Sequence, residues 1–211
     1  MRQRRVKNEK EKVMSYSDIV VTNPEAYKGK WNEFFKNNHE IHIEIGCGKG
    51  RFITSLAEEN PNINYLAIEP IGTIFLRALE KVQEKGLENV GGIWRFANNI
   101  FEYIDENEID KIYLNFSDPW PKVRHAKRRL THHNFLKYYK QILKPKGVIE
   151  FKTDNNGLFD FSMEEFKLCG FTLQDVTNDL HGTSKHNIMT EYEQKFSRLG
   201  MKINYCKATL E

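Results

Sequence analysis

From about residue 40 the chain alternates short apolar runs with longer stretches whose apolar residues recur every three to four positions. Ile41-His42-Ile43-Glu44-Ile45 alternates with a period of two and stops at Gly46, which predicts a strand. Residues 51–59 predict a helix. Tyr65-Leu66-Ala67-Ile68 is a second, buried strand closed by Glu69-Pro70. Over 71–85, Ile74, Leu76, Leu79 and Val82 keep helical spacing until Gly86. A third strand is expected near 91–96 and a fourth over 111–116. A helix over 132–143, a fifth strand over 148–152 and a helix over 158–169 follow. Beyond them 171–176 and 201–207 predict strands with no clear helix between, hence an antiparallel pair. Strands alternating with helices give an α/β fold with a doubly wound, mostly parallel sheet, whose ligands bind beyond the carboxyl ends of the strands.

Composition narrows the class. At 211 residues the chain suits one domain, and its longest apolar runs are only a few residues, too short to span a membrane. The basic N-terminus, MRQRRVKNEKEK, lacks the apolar core of a signal peptide. Cys47, Cys169 and Cys206 are scattered and odd in number, which fits free thiols in a reducing cytosol. No His or Cys cluster has ligand spacing, so no metal is implied. His132 and His133 read as the start of the next helix. The net charge of +3 is modest, but cations gather at residues 2–12 and 122–129. Such patches favour polyanions, although a solvated face is the commoner meaning of any single run.

Two stretches carry candidate chemistry. Glu44-Ile45-Gly46-Cys47-Gly48-Lys49-Gly50 joins the first strand to a helix, where glycines allow a sharp turn and close approach to a ligand. A dinucleotide fingerprint needs its third glycine one residue later, and the lysine-serine/threonine ending of a P-loop is absent. The run matches the E-x-G-x-G-x-G loop of S-adenosylmethionine-dependent methyltransferases. Glu69, 23 residues beyond Gly46, stands where an acid accepts hydrogen bonds from ribose hydroxyls. The second stretch, FSDPWPKVRHAKRR (116–129), sets Asp118 in a Pro-Trp-Pro frame ahead of five cations. Pro119 and Pro121 restrict the backbone. Trp120 offers either a stacking face or a wedge of core. Lys122, Arg124, Lys127, Arg128 and Arg129, with His125 among them, read as a phosphate clamp. Arg124 and Arg128 could instead brace the loop.

With EIGCGKG (44–50), NFSDPWPKVRHAKRR (115–129), FKTDN (151–155) and MTEYEQKF (189–196) in this order, the chain resembles bacterial tRNA (guanine-N7-)-methyltransferases from about residue 15 to 207. These enzymes modify the variable-loop guanine at tRNA position 46. The resemblance implies a Rossmann-like class I methyltransferase domain over 16–211 behind a basic, flexible arm over 1–15. It implies S-adenosylmethionine as cofactor, tRNA as partner, a cytoplasmic setting, and a monomer or homodimer. Glu44, Gly46, Gly48, Glu69 and Asp118 would contact the cofactor. Lys122, Asp154 and the run Thr190, Glu191, Tyr192 and Glu193 would contact the substrate. Acids in that run would repel phosphate, so a place beside the base, or bracing cations, is the physical expectation. The family's acidic adenine contact is replaced here by Phe96-Ala97-Asn98, leaving Phe96 an apolar face and Asn98 a polar one.

Guanine N7 has a free lone pair, so methyl transfer to it needs alignment and a suitable field rather than a general base. Asp118 is therefore the expected catalytic residue. Its carboxylate can accept from the guanine N1–H and exocyclic amine and favours the cationic product. A turn or cap role is the alternative for Asp118, and for Asp154 as well.

Overall fold

A computed structural model describes residues 6–210. The chain, expected as one domain over 16–211, divides into two compact units at Ile104/Asp105. Residues 1–5 of the expected arm lie outside the described residues. The rest of it includes a helix, α1 (Glu9–Met14), whose Val13 is fully buried and which packs on α4 (Gly72–Lys85). The Val6 N–H donates to Thr73 Oγ1 at 3.2 Å and Thr73 donates to Glu9, so this part is latched to the start of α4.

The first unit also contains α2 (Trp31–Phe35), β1 (Glu40–Ile45), α3 (Arg51–Glu59), β2 (Ile63–Ile68) and β3 (Val90–Ile93). Its strands run parallel in the order β3-β2-β1, with Glu40 opposite Ile63 and Tyr65 opposite Val90. The alternation of Ile41 to Ile45 suggests one wet face, yet all five residues are buried. Parallel strands are covered on both faces, so polar His42 and Glu44 are buried too. Helix α4 closes at Gly86 as expected: φ is 61° and Leu87 N–H reaches the Val82 carbonyl at 3.1 Å. The expected strand near 91–96 is shorter. It ends at Ile93, and a 3₁₀ turn over Ala97–Glu102 follows with Phe96 at its cap.

The second unit holds β4 (Ile109–Asn115), α5 (His133–Ile142), β5 (Leu143–Thr153), α6 (Asn156–Leu168), β6 (Thr172–Thr177), α7 (Glu191–Ser197) and β7 (Asn204–Thr209). The order is β4-β5-β7-β6, with β4 parallel to β5 and β7 antiparallel to both of its neighbours. The antiparallel C-terminal pair is as expected. Helix α7 was not, because seven residues offer too little periodicity to read. Among the described residues no helix is long and apolar enough to cross a membrane.

Gly50 fixes how α3 leaves the glycine loop. It sits at φ 80°, and a Cβ there would lie 2.6 Å from the Ala78 Cβ on α4. Gly50→Ala should therefore lower unfolding free energy by about 2–4 kcal/mol, combining overpacking with left-handed strain. Gly46→Ala faces only strain, since a Cβ there meets nothing within 4 Å, and should cost about 1 kcal/mol. Urea denaturation of the two variants checks the difference, and equal losses would contradict the packing account.

Candidate active site

In the first unit the glycine loop follows β1 directly. Gly46, Gly48 and Gly50 have φ of 79°, 57° and 80°, where side chains are strained. Gly46 and Cys47 N–H both donate to the Ile68 carbonyl, at 2.8 and 3.0 Å, binding the loop to the end of β2. Glu69, the next residue along β2 and only 6% exposed, stiffens it further. Its Oε2 accepts from Gly48 N–H at 3.1 Å and its Oε1 from Ile71 N–H at 2.9 Å. The space in front of Gly46 and Gly48 is open, and both lack a side chain to fill it. Glu44 is buried at the end of β1.

Beyond β3, Pro70, Trp94, Arg95, Phe96 and Asn98 line a cleft of about 390 Å³. The Trp94 indole donates to the Pro70 carbonyl at 2.9 Å, and Phe96 leaves 68% of its surface exposed. An open glycine turn, an acid at a strand end and an aromatic-lined cleft suit a nucleoside carrying a charged tail. The donor set thus fits S-adenosylmethionine.

In the second unit β4 delivers Asp118 to an exposed position at its carboxyl end. Phe116 and Trp120 on either side of it have φ of 51° and 41°. Left-handed backbone at a bulky residue costs about 1–3 kcal/mol and persists only where the surroundings impose it. Lys122, Arg124, Lys127 and Arg128 are exposed, three of them on a 3₁₀ turn, Val123–Arg128. Arg128 nevertheless lies over the Trp120 ring at 4.9 Å, and His125 meets the same ring edge-on at 5.8 Å. Trp120 is thus partly covered by its own loop. Arg124 Nε donates to His125 Nε2 at 3.4 Å. Arg129 faces inward: it donates to the Pro119 and Trp120 carbonyls at 3.0 and 3.1 Å.

Asp154 and the Thr190–Glu193 run come together. Tyr192 Oη donates to Asp154 Oδ2 at 2.8 Å, and its ring packs 5.1 Å from Phe116 and 4.3 Å from Phe196. Burial, followed by the Asp154 hydrogen bond, pushes the Tyr192 phenol up to about 12. Thr190 caps α7, its Oγ1 accepting from Glu193 N–H at 3.0 Å. Glu193 itself is fully buried. It accepts from Lys152 Nζ at 3.4 Å and Asn187 Nδ2 at 2.6 Å, and pairs with His181 Nε2 at 2.8 Å. This is the cation-bracing arrangement, and it turns Glu193 away from solvent. Lys152, His181 and Asn187 were not singled out in the sequence. The usable signal was a lysine inside the apolar end of a strand, which demands a partner. Glu191 is partly exposed at the start of α7.

His132 and His133 open α5 as expected, and Glu165 joins them from α6. The three form the one His/Cys/Asp/Glu group of metal-binding closeness among the described residues. Each partner is engaged in capping: His132 Nδ1 accepts from Asn134 N–H at 3.1 Å, and Glu165 accepts from the His133 N–H and ring. A helix N-terminus repels cations, so the arrangement suits a cap better than a metal.

Burial, then the neighbouring His133, holds the His132 imidazole below its ordinary value of 6.5. The unfolded chain therefore takes up this proton first, and stability is lost as pH falls from about 7 through 6.5 toward the lowered folded value. His132→Asn keeps a cap acceptor without a titrating ring and should flatten that acid limb. Denaturation midpoints between pH 5 and about 8 check it. An unchanged limb would remove His132 from the effect.

Parallel strands with an open glycine turn after the first of them define a Rossmann-like nucleotide-binding fold. A solved 16S rRNA methyltransferase has this fold, with a TM-score of 0.68 at 11% identity over 87% of this chain and 93% of that one. The family described as "Putative methyltransferase" matches residues 38–206. The tRNA (guanine-N(7)-)-methyltransferase of Clostridium tetani is 51% identical over 94% of both chains. Its counterpart in Lachnoclostridium phytofermentans is 52% identical over 97% of this chain and 96% of its own. The chain belongs to the tRNA (guanine-N(7)-)-methyltransferase family.

Proposed function

We propose that this chain transfers the methyl group of S-adenosylmethionine to N7 of a guanine in tRNA, with the variable-loop guanine at position 46 as the target. The observation that carries the reading is the exposed Asp118 carboxylate at the carboxyl end of β4, at the head of a loop that presents Lys122, Arg124 and Lys127 to solvent. An acid for a base and cations for phosphates, on one short loop, match the two parts of a nucleotide. A small substrate has no use for that many cations.

Once bound, S-adenosylmethionine supplies an electrophilic methyl group. The glycine loop would give it room, Glu69 would receive its ribose hydroxyls, and Phe96 and Asn98 would hold its adenine. Glu44 would complete the contacts on the first unit. Asp118 accepts from the guanine N1–H and exocyclic amine, which orients N7, and its charge favours the cationic ring that forms. No proton leaves N7, so no residue need act as a base. Lys122 and Asp154 hold the nucleotide, with Tyr192 fixing Asp154. The free thiols Cys47, Cys169 and Cys206 suit the cytoplasm.

The direct test is incubation with unmodified tRNA and methyl-labelled cofactor, then nucleoside analysis. N7-methylguanosine is expected, and label in another nucleoside or in none overturns the reading. Asp118→Asn should stay folded and bind tRNA, because the cations supply most of that affinity. Its methyl transfer should fall by about a hundredfold or more, the scale of losing one preorganised electrostatic group. Normal turnover would make Asp118 a turn residue.

A further inference from the structure

We propose that Arg129 is a positioning residue, setting the backbone of the Asp118 loop rather than binding a tRNA phosphate. The proposal rests on the tRNA methyltransferase reading of this site. It departs from the expectation that all five cations of the run form one clamp.

Arg129 directs one edge of its guanidinium at its own loop. Its Nε and Nη2, the two donors along one edge of the guanidinium, reach the consecutive carbonyls of Pro119 and Trp120 at 3.0 and 3.1 Å. The face of the group lies 4.3 Å over the Phe161 ring on α6. Lys122, Arg124 and Lys127 point to solvent, whereas Arg129 is half-buried.

What it holds is a loop under strain. Asp118 lies between two aromatic residues in the left-handed region, Phe116 and Trp120. The Phe116 side has its own restraints: its N–H donates to the Lys152 carbonyl at 2.9 Å and its ring meets Tyr192. On the Trp120 side Arg128 and His125 pack on the ring, and the Arg129 fork holds the backbone carbonyls. That fork stands on a rigid base. Phe161 precedes Ser162, whose hydroxyl shares a buried hydrogen bond of 2.7 Å with Thr131, two residues after Arg129. The arginine is thus fixed near its backbone and along its plane. A planar fork of paired donors fixes the direction of both carbonyls at once, whereas a lysine ammonium is a point charge whose donors rotate.

The test compares Arg129→Lys, Arg129→Ala and Lys127→Ala in the full chain. Arg129→Lys keeps the charge, so the salt dependence of tRNA affinity and the cofactor affinity should hold. Its kcat at saturating tRNA should drop about tenfold to a hundredfold, the effect of a misplaced reacting group. Lys127→Ala should instead lower the salt slope by about 0.7–0.9, its loss falling on tRNA affinity. An Arg129→Lys enzyme with wild-type kcat overturns the proposal. So does an Arg129→Ala enzyme with a flattened salt slope and normal kcat, which would make Arg129 a phosphate contact. A kcat loss matched by losses of cofactor affinity and thermal midpoint overturns it in favour of a general stabilising role. If the unaltered enzyme left tRNA guanine unmethylated, the functional reading would fall and take this proposal with it.

Discussion

Lys152 is an ammonium group inside β5 with 3% of its surface exposed, and a charge so placed must be compensated. Glu193, the Asn187 side chain and the Ile188 carbonyl do so together. All three lie in the long connection between β6 and β7, so one desolvated charge fastens that connection to the strand. Breaking such a pair on one side typically costs about 3–5 kcal/mol, enough to hold a segment with little regular structure of its own. Tyr192, carried by the same short helix, is thereby delivered to Asp154 and Phe116. The chemistry proposed for the second unit thus depends on an ion pair buried away from solvent.

Sequence periodicity located the parallel strands and long helices because both follow a repeat set by the backbone. Glu69, Gly86 and the strand carrying Asp118 stand where they were expected. Burial of His42 and Glu44 was hidden, since an alternating run reads the same whether its polar face is wet or covered by a helix layer. The Thr190–Glu193 run carried two meanings at once. Threonine followed three residues later by glutamate is a helix-start signal, and Thr190 does cap α7, but Glu193 turns to Lys152. Resemblance marked the run without distinguishing contact from support. Arg129 was equally opaque: five neighbouring cations look alike until the fold gives some of them carbonyls and rings.

The basic loop therefore has two populations of positive charge. Arg128 and Arg129 lie against aromatic faces, and Lys122, Arg124 and Lys127 remain hydrated. The first group has already lost much of its rotamer freedom, so it shapes the loop without a further entropic cost on binding. The second keeps the mobility that lets cations adapt to a flexible polyanion. The glycine loop shows a similar division, with Gly50 crowded by Ala78 and Gly46 and Gly48 facing open space.

Strand β7 lies between β5 and β6, although it follows both in the chain. Until β7 docks, β6 has no strand to join it to the sheet. A partly folded unit without β7 in place therefore carries open strand edges on β5 and on β6, each able to recruit a foreign strand. Completing the unit requires pairing across long sequence separation, the slow part of folding for any sheet. Antiparallel insertion of β7 makes the partly folded chain more vulnerable than the finished one, and gives a holding chaperone an intermediate on which to act.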